Sequence, residues 1–144
     1  MSRYSAGVRT SAGSTTLPIA SLYAATATRA RLMEVHIFKT TATEVALKLS
    51  RLDTAGTKPG ATTDNPYDPA GPAADCTFHG THTVGPTIDE ENNRGILGAA
   101  IGSGIIWTFG DTGLIIPVGT ANGIGVVVAT GTGQICDVTF VWEE

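Results

Sequence analysis

The sequence predicts an all-β domain, a sandwich of about eight strands with an extended N-terminal arm and a long Pro-rich loop. Three observations predict it. Apolar residues recur at period two in several short runs. Turn residues rich in Gly, Asn and Thr separate those runs, and few segments favour a helix. The clearest stretch is GLIIPVGTANGIGVVVATGTGQICDVTFVW, Gly113 to Trp142. Its last run alternates strictly, with Gln134, Cys136, Val138, Phe140 and Trp142 on one face and Ile135, Asp137, Thr139, Val141 and Glu143 on the other. Such alternation marks a strand with one buried face. Three such runs at turn spacing predict a β-meander.

Taken in order, residues 1–16 (MSRYSAGVRTSAGSTT) are small and polar, with little beyond Tyr4 and Val8 to bury. That composition predicts an arm that is flexible or is ordered by a partner. Residues 17–144 are expected to form one sandwich domain. Leu17–Tyr23 reads as a first strand, with Pro18 near its start, where proline is tolerated. Arg31–Lys39 alternates, with Met33, Val35 and Ile37 on one face. Glu44–Leu52 alternates again, with Val45, Leu47 and Leu49 facing inward. Thr40–Thr43 between them predicts a hairpin turn. Asp53–Asp75 lacks periodicity and holds Pro59, Pro66, Pro69 and Pro72, so it reads as a contact loop with Tyr67 as anchor. Cys76–Thr83 is a weak strand, and Asp89–Arg94 is polar enough for a helical turn. Ile105–Phe109 is a core strand built on Trp107.

Composition excludes several function classes. Of 144 residues, 42% are hydrophobic, enough for a core, while only 15% are charged, against roughly 25% in soluble domains. A surface so poor in charge suits either a protein that buries its exterior against neighbours or a small sandwich with a hydroxyl-rich surface. The net charge of −4 disfavours nucleic acid, which needs a clustered cationic face. Arg3, Arg9, Arg29 and Arg31 all precede the first acid, Glu34, and no Lys or Arg follows Arg94. Ends of opposite sign suit head-to-tail packing of copies. The most apolar stretch, Gly95–Phe109, is too short for a membrane span. Residues 1–16 lack the apolar segment of a secretory signal, so a cytoplasm-like compartment is expected. Cys76 and Cys136 form no disulfide framework; they either pair or remain free core thiols.

No constellation points to catalysis. His79 and His82 lie three apart, on opposite faces of a strand, and are expected to face solvent. Gly102-Ser103-Gly104 lacks the frame of a nucleophile elbow. Asp89-Glu90-Glu91 reads as a solvated run of carboxylates. Gly119–Gly125 has no Lys after its glycines, so Asn122-Gly123 is better read as a hairpin turn than as a phosphate loop. No cofactor or metal is expected.

Val35–Thr43 (VHIFKTTAT), Arg51–Thr57 (RLDTAGT), Gly119–Gly125 (GTANGIG) and Phe140–Glu144 (FVWEE) together resemble a group of small tailed-bacteriophage proteins assigned to the virion. The resemblance covers about residues 20–144 and rests on turns and strand ends, so it transfers no active site. It implies a jelly-roll-like β-sandwich, present in many copies, often as a homotrimer that cements or decorates the major capsid protein shell. Within that frame the candidate contact regions are Met1–Thr16 and Asp53–Asp75. The candidate partner-binding residues are Arg3, Tyr4, Arg9, Lys58 and Tyr67. A neck or tail component, and a carbohydrate- or receptor-binding module, are the alternative readings.

Overall fold

The computed structural model describes residues 1–144. It contains β1 (Arg3–Arg9), β2 (Ala20–Tyr23), β3 (Ala30–Lys39), β4 (Val45–Leu52), β5 (Asn65–Pro66), β6 (Thr77–His79), β7 (Ile88–Leu97), β8 (Gly104–Thr108), β9 (Leu114–Ile116), β10 (Gly123–Thr130) and β11 (Cys136–Glu143), and no helix. The strands form two antiparallel sheets. The first has the order β5-β1-β11-β3-β8, with β9 pairing the start of β3, and the second the order β6-β2-β10-β4-β7. The core lies between them. Phe140 and Val138 of β11, Val35 and Ile37 of β3, Val126 and Val128 of β10, and Leu47 and Leu49 of β4 are all buried there. Each such side chain contributes about 1.5–3 kcal/mol by leaving water.

The β character of residues 113–142 holds, and Cys136, Val138, Phe140 and Trp142 do form the buried face of their strand. Their arrangement as a meander does not. β9 pairs with β3, β10 lies between β2 and β4 in the second sheet, and β11 lies between β1 and β3 in the first. The expected hairpin of β3 and β4 is likewise absent, because the two strands belong to opposite sheets. The 40–43 bend carries the chain across, and the buried Lys39 ammonium closes it by donating to the carbonyls of Thr41 and Thr43 at 3.0 and 2.6 Å. Alternation reports which face of a strand is buried and says nothing about which sheet it joins.

Three local expectations also change. Residues 89–94 are not a helical turn; they lie inside β7, an edge strand whose polar side chains stand in water. In β3 the side chains inward of Glu34 are Leu32 and Ala30, not Met33, because the register with β11 slips between Val141 and Trp142 and leaves Met33 as a bulge. The first expected strand starts only at Ala20, since Leu17 is tied into a turn with Ser14 through backbone bonds of 3.2 and 3.3 Å.

The largest correction concerns the arm. Residues 3–9 are an interior strand, paired along their whole length with β11 from Arg3↔Glu143 to Arg9↔Asp137. Tyr4 and Ala6 are buried. Composition misled here because β1 carries few large residues of its own and meets large ones across the ladder: Ala6 lies opposite Phe140 and Tyr4 opposite Trp142. Burial is supplied by the partner strand.

Candidate interaction surface

The antiparallel pairing of β1 with β11 decides the fate of the terminal charges. Arg3 donates to Glu143 Oε1 from Nε at 3.0 Å and from Nη2 at 2.5 Å. Arg9 grips both carboxylate oxygens of Asp137 at 2.8 and 3.0 Å. Arg31 also lies 3.6 Å from Glu143. The opposite-signed ends therefore neutralise each other within one chain, and the charge asymmetry loses its force as a sign of head-to-tail packing. Asp137 is held below the usual carboxylate range, first by its bond from Arg9. Arg9 is thus an exposed half of an ion pair and not a free cation awaiting an acidic partner.

The Pro-rich loop lies on its own sandwich. Thr57 bridges to Val84 and Thr62 to Phe78. Asn65–Pro66 pairs with Tyr4 and Ser5 as β5, and Tyr67 N–H donates to the Arg3 carbonyl at 2.9 Å. Tyr4 Oη donates to the Pro72 carbonyl at 3.0 Å. At the loop's return, the Glu144 side-chain carboxylate accepts from the amides of Asp75 and Cys76 at 2.5 and 3.1 Å and from Trp142 Nε1 at 3.3 Å. The loop covers the β1 edge, and a short strand ending in proline is a usual guard for such an edge.

Three candidate contact residues meet at this corner. Tyr4 is core and anchors the loop from beneath. Arg3 stands over the Tyr67 ring at 5.9 Å. Tyr67 is 59% exposed. Arg3 and Tyr67, with Met1, Pro66 and Gly71, line a recess of about 230 Å³. Arg9 lies at the far end of β1, and Lys58 lies elsewhere, its ammonium 4.5 Å from the centre of the Tyr23 ring.

Beneath Lys58 lies a buried polar cluster that sequence does not reveal, because its members and their cover come from three separate segments. Ser21, His79 and His82 are buried on the outer side of the second sheet, covered by the 54–60 stretch. Both histidines were expected in solvent. Ser21 pairs with His79 in the ladder, and Ser21 Oγ lies 2.8 Å from His82 Nε2. His79 Nδ1 donates to the Pro59 carbonyl at 2.8 Å, and Tyr23 Oη donates to the Thr54 carbonyl at 2.9 Å. Burial, with the Lys58 charge nearby, pushes His82 down to about 4 and lowers His79 as well. His82 Nδ1 and Ser50 Oγ have no hydrogen-bond partner. The Ser21–His82 pair has the reach of a nucleophile and base, but Ser21 has no solvent-accessible surface through which a substrate could arrive. The cluster fastens the loop to the sheet.

No three His, Cys, Asp or Glu side chains come together as a metal-binding group. Asp53, Asp89 and Glu90 share a shallow recess of about 420 Å³ with Arg51, whose guanidinium donates to the Ile115 carbonyl. Partial desolvation, then the neighbouring Asp89, raises the Asp53 carboxyl. Both cysteines are free and buried, and burial pushes the Cys76 and Cys136 thiols up to about 12 and about 11. No family model and no curated protein matches this chain.

Proposed function

We propose that this protein is a non-enzymatic structural subunit of a tailed-bacteriophage virion, a decoration or cement protein that stabilises the head by bridging neighbouring capsid subunits. The fold assigned to it in this reading is the jelly roll. The observation that carries the proposal is the order of the eight principal strands. Taken in chain order, β1, β2, β3, β4, β7, β8, β10 and β11 fall into the sheets β1-β11-β3-β8 and β2-β10-β4-β7. That order supports the jelly-roll reading, and capsid proteins are among the proteins that use that fold. Fold alone is an analogy and leaves many functions open. The low surface charge and the resemblance of Val35–Thr43, Arg51–Thr57, Gly119–Gly125 and Phe140–Glu144 to virion proteins add the direction.

The tied-down β1 and loop change how such a subunit would hold its neighbours. Contact comes from preformed corners, among them the one formed by Arg3, Tyr67 and Met1. A rigid surface loses little entropy on docking, and several weak contacts on one particle add through effective concentration. The test is to add purified protein to heads lacking it and count copies by electron microscopy. Hundreds of copies over the shell, reduced by Tyr67→Ala, are expected. A handful at one vertex would assign a neck or tail role instead. Glycan-array binding abolished by Tyr67→Ala would replace the virion reading with a carbohydrate-binding one.

A further inference from the structure

We propose that β8 is a self-association edge, on which a second copy of this chain pairs antiparallel about Ile106. The inference starts from the four sheet edges and how each is guarded. β5 has two residues and ends in Pro66. β6 has three, and its outer side is bridged by Thr62. β7 carries Asp89, Glu90, Glu91 and Arg94, and its register with β4 slips twice. Short length, proline, charge and bulges are the devices that stop sheets from joining. β8 has none of the last three. It reads GIIWT, its ladder with β3 runs unbroken from Glu34↔Thr108 to Phe38↔Gly104, and no charged residue occurs from Gly95 to Gly110. Beyond that ladder, none of the chain's other hydrogen bonds reaches the β8 backbone. Its outward N–H and C=O groups are free to take another strand.

The side chains around the edge support the same occupant. Ile106, which pairs with His36, is 51% exposed; Phe38, which lies over Gly104 at the start of β8, is 42% exposed, and Ile101 in the preceding turn is 70% exposed. In an antiparallel pair centred on Ile106, the two Ile106 residues face each other, Ile105 faces Trp107 of the second copy, and Gly104 faces Thr108. Aromatic and β-branched residues are favourable cross-strand neighbours. Charge selects the orientation. Each copy carries −4, so association needs a neutral seam. β7 feeds β8 through the 98–103 turn, and the Gly95 backbone packs against Ile105 and Trp107, which places the acids of β7 at the Thr108 end. Antiparallel pairing sets those acids beside the partner's uncharged turn, whereas parallel pairing would stack acid on acid. The product is a twofold dimer with one sheet continuous across both copies.

This inference does not rest on the virion reading, and it is tested on the purified protein alone. Sedimentation velocity over about 1–500 µM should show a reversible dimer, as a contact this small predicts. Ile106→Lys, at an exposed position, should weaken the dimer at least about tenfold with an unchanged melting temperature. Ile106→Cys should form a covalent dimer on mild oxidation, since the two positions are direct cross-strand neighbours, whereas Val118→Cys should not. The proposal is overturned by a monomer across the whole range, by a trimer, or by Ile106→Cys crosslinking no faster than Val118→Cys. If Ile106→Lys does not fold, the crosslinking pair decides alone.

Discussion

The rings of Tyr4 and Trp142 lie 5.8 Å apart at an interplanar angle of 25°, stacked across the β1–β11 ladder with both side chains buried. The first strand and the last thus form one structural unit. Tyr4→Phe keeps the ring and removes the bond to the Pro72 carbonyl; a cost of about 1 kcal/mol is expected. Tyr4→Ala removes the ring from a packed site, and about 3–5 kcal/mol is expected. Chemical denaturation of both variants checks the order. Equal losses would mean that the loop anchor, and not the stack, dominates.

Acid should loosen the strap over the second sheet. His82 titrates at about 4 in the folded chain, below its ordinary value near 6.5. Between those values the unfolded chain binds a proton that the folded chain refuses. Stability is therefore full above about pH 6.5 and is lost as pH falls towards 4, by about 3 kcal/mol. The depressed His79 adds in the same direction. His82→Gln should flatten the slope of melting temperature against pH in that window. An unchanged slope would remove His82 as its source.

Two glycines of the 130–133 turn are required for different reasons. Gly131 has φ of +76° with open space around its absent side chain, so Gly131→Ala should cost about 1–2 kcal/mol of backbone strain. A Cβ on Gly133 would fall 1.8 Å from the Ala12 carbonyl oxygen, so Gly133→Ala must displace backbone and should cost more than about 3 kcal/mol. Melting curves of the two variants should differ by several degrees.

The thiols should be inert in the native state. Cys76 and Cys136 are buried, and both are pushed well above the ordinary range of a thiol. A disulfide reagent at pH 8 should label neither until denaturant is added, when both should react. Rapid native labelling of either would show local opening at its strand.

Much of the sandwich is written in the period-two runs. Val45, Leu47 and Leu49, and Cys136, Val138, Phe140 and Trp142, face inward as their alternation requires. Sheet membership is not legible in that way, because β3 and β4 would look the same as a hairpin or as strands of opposite sheets. β1 escaped notice since Ala6 and Ser5 carry little signal of their own; only Phe140 and Trp142 across the ladder reveal the strand. The Ser21–His82 cluster was illegible for a related reason, its members being 61 residues apart. The corner of Arg3 and Tyr67 was half legible. The side chains stand out in sequence, but the ion pair of Arg3 with Glu143 depends on register.

The place of β11 in the middle of the first sheet has a consequence for biosynthesis. β1 and β3 are separated by β11 and cannot pair without it. As the chain is made, residues 1–135 leave the ribosome with a sheet that lacks its central strand. Pairing over such sequence separations is slow, and the unfinished sheet exposes apolar surface meanwhile. Completion of the first sheet therefore waits for residues 136–143, and chaperone holding should matter most for nascent chains stalled just short of them.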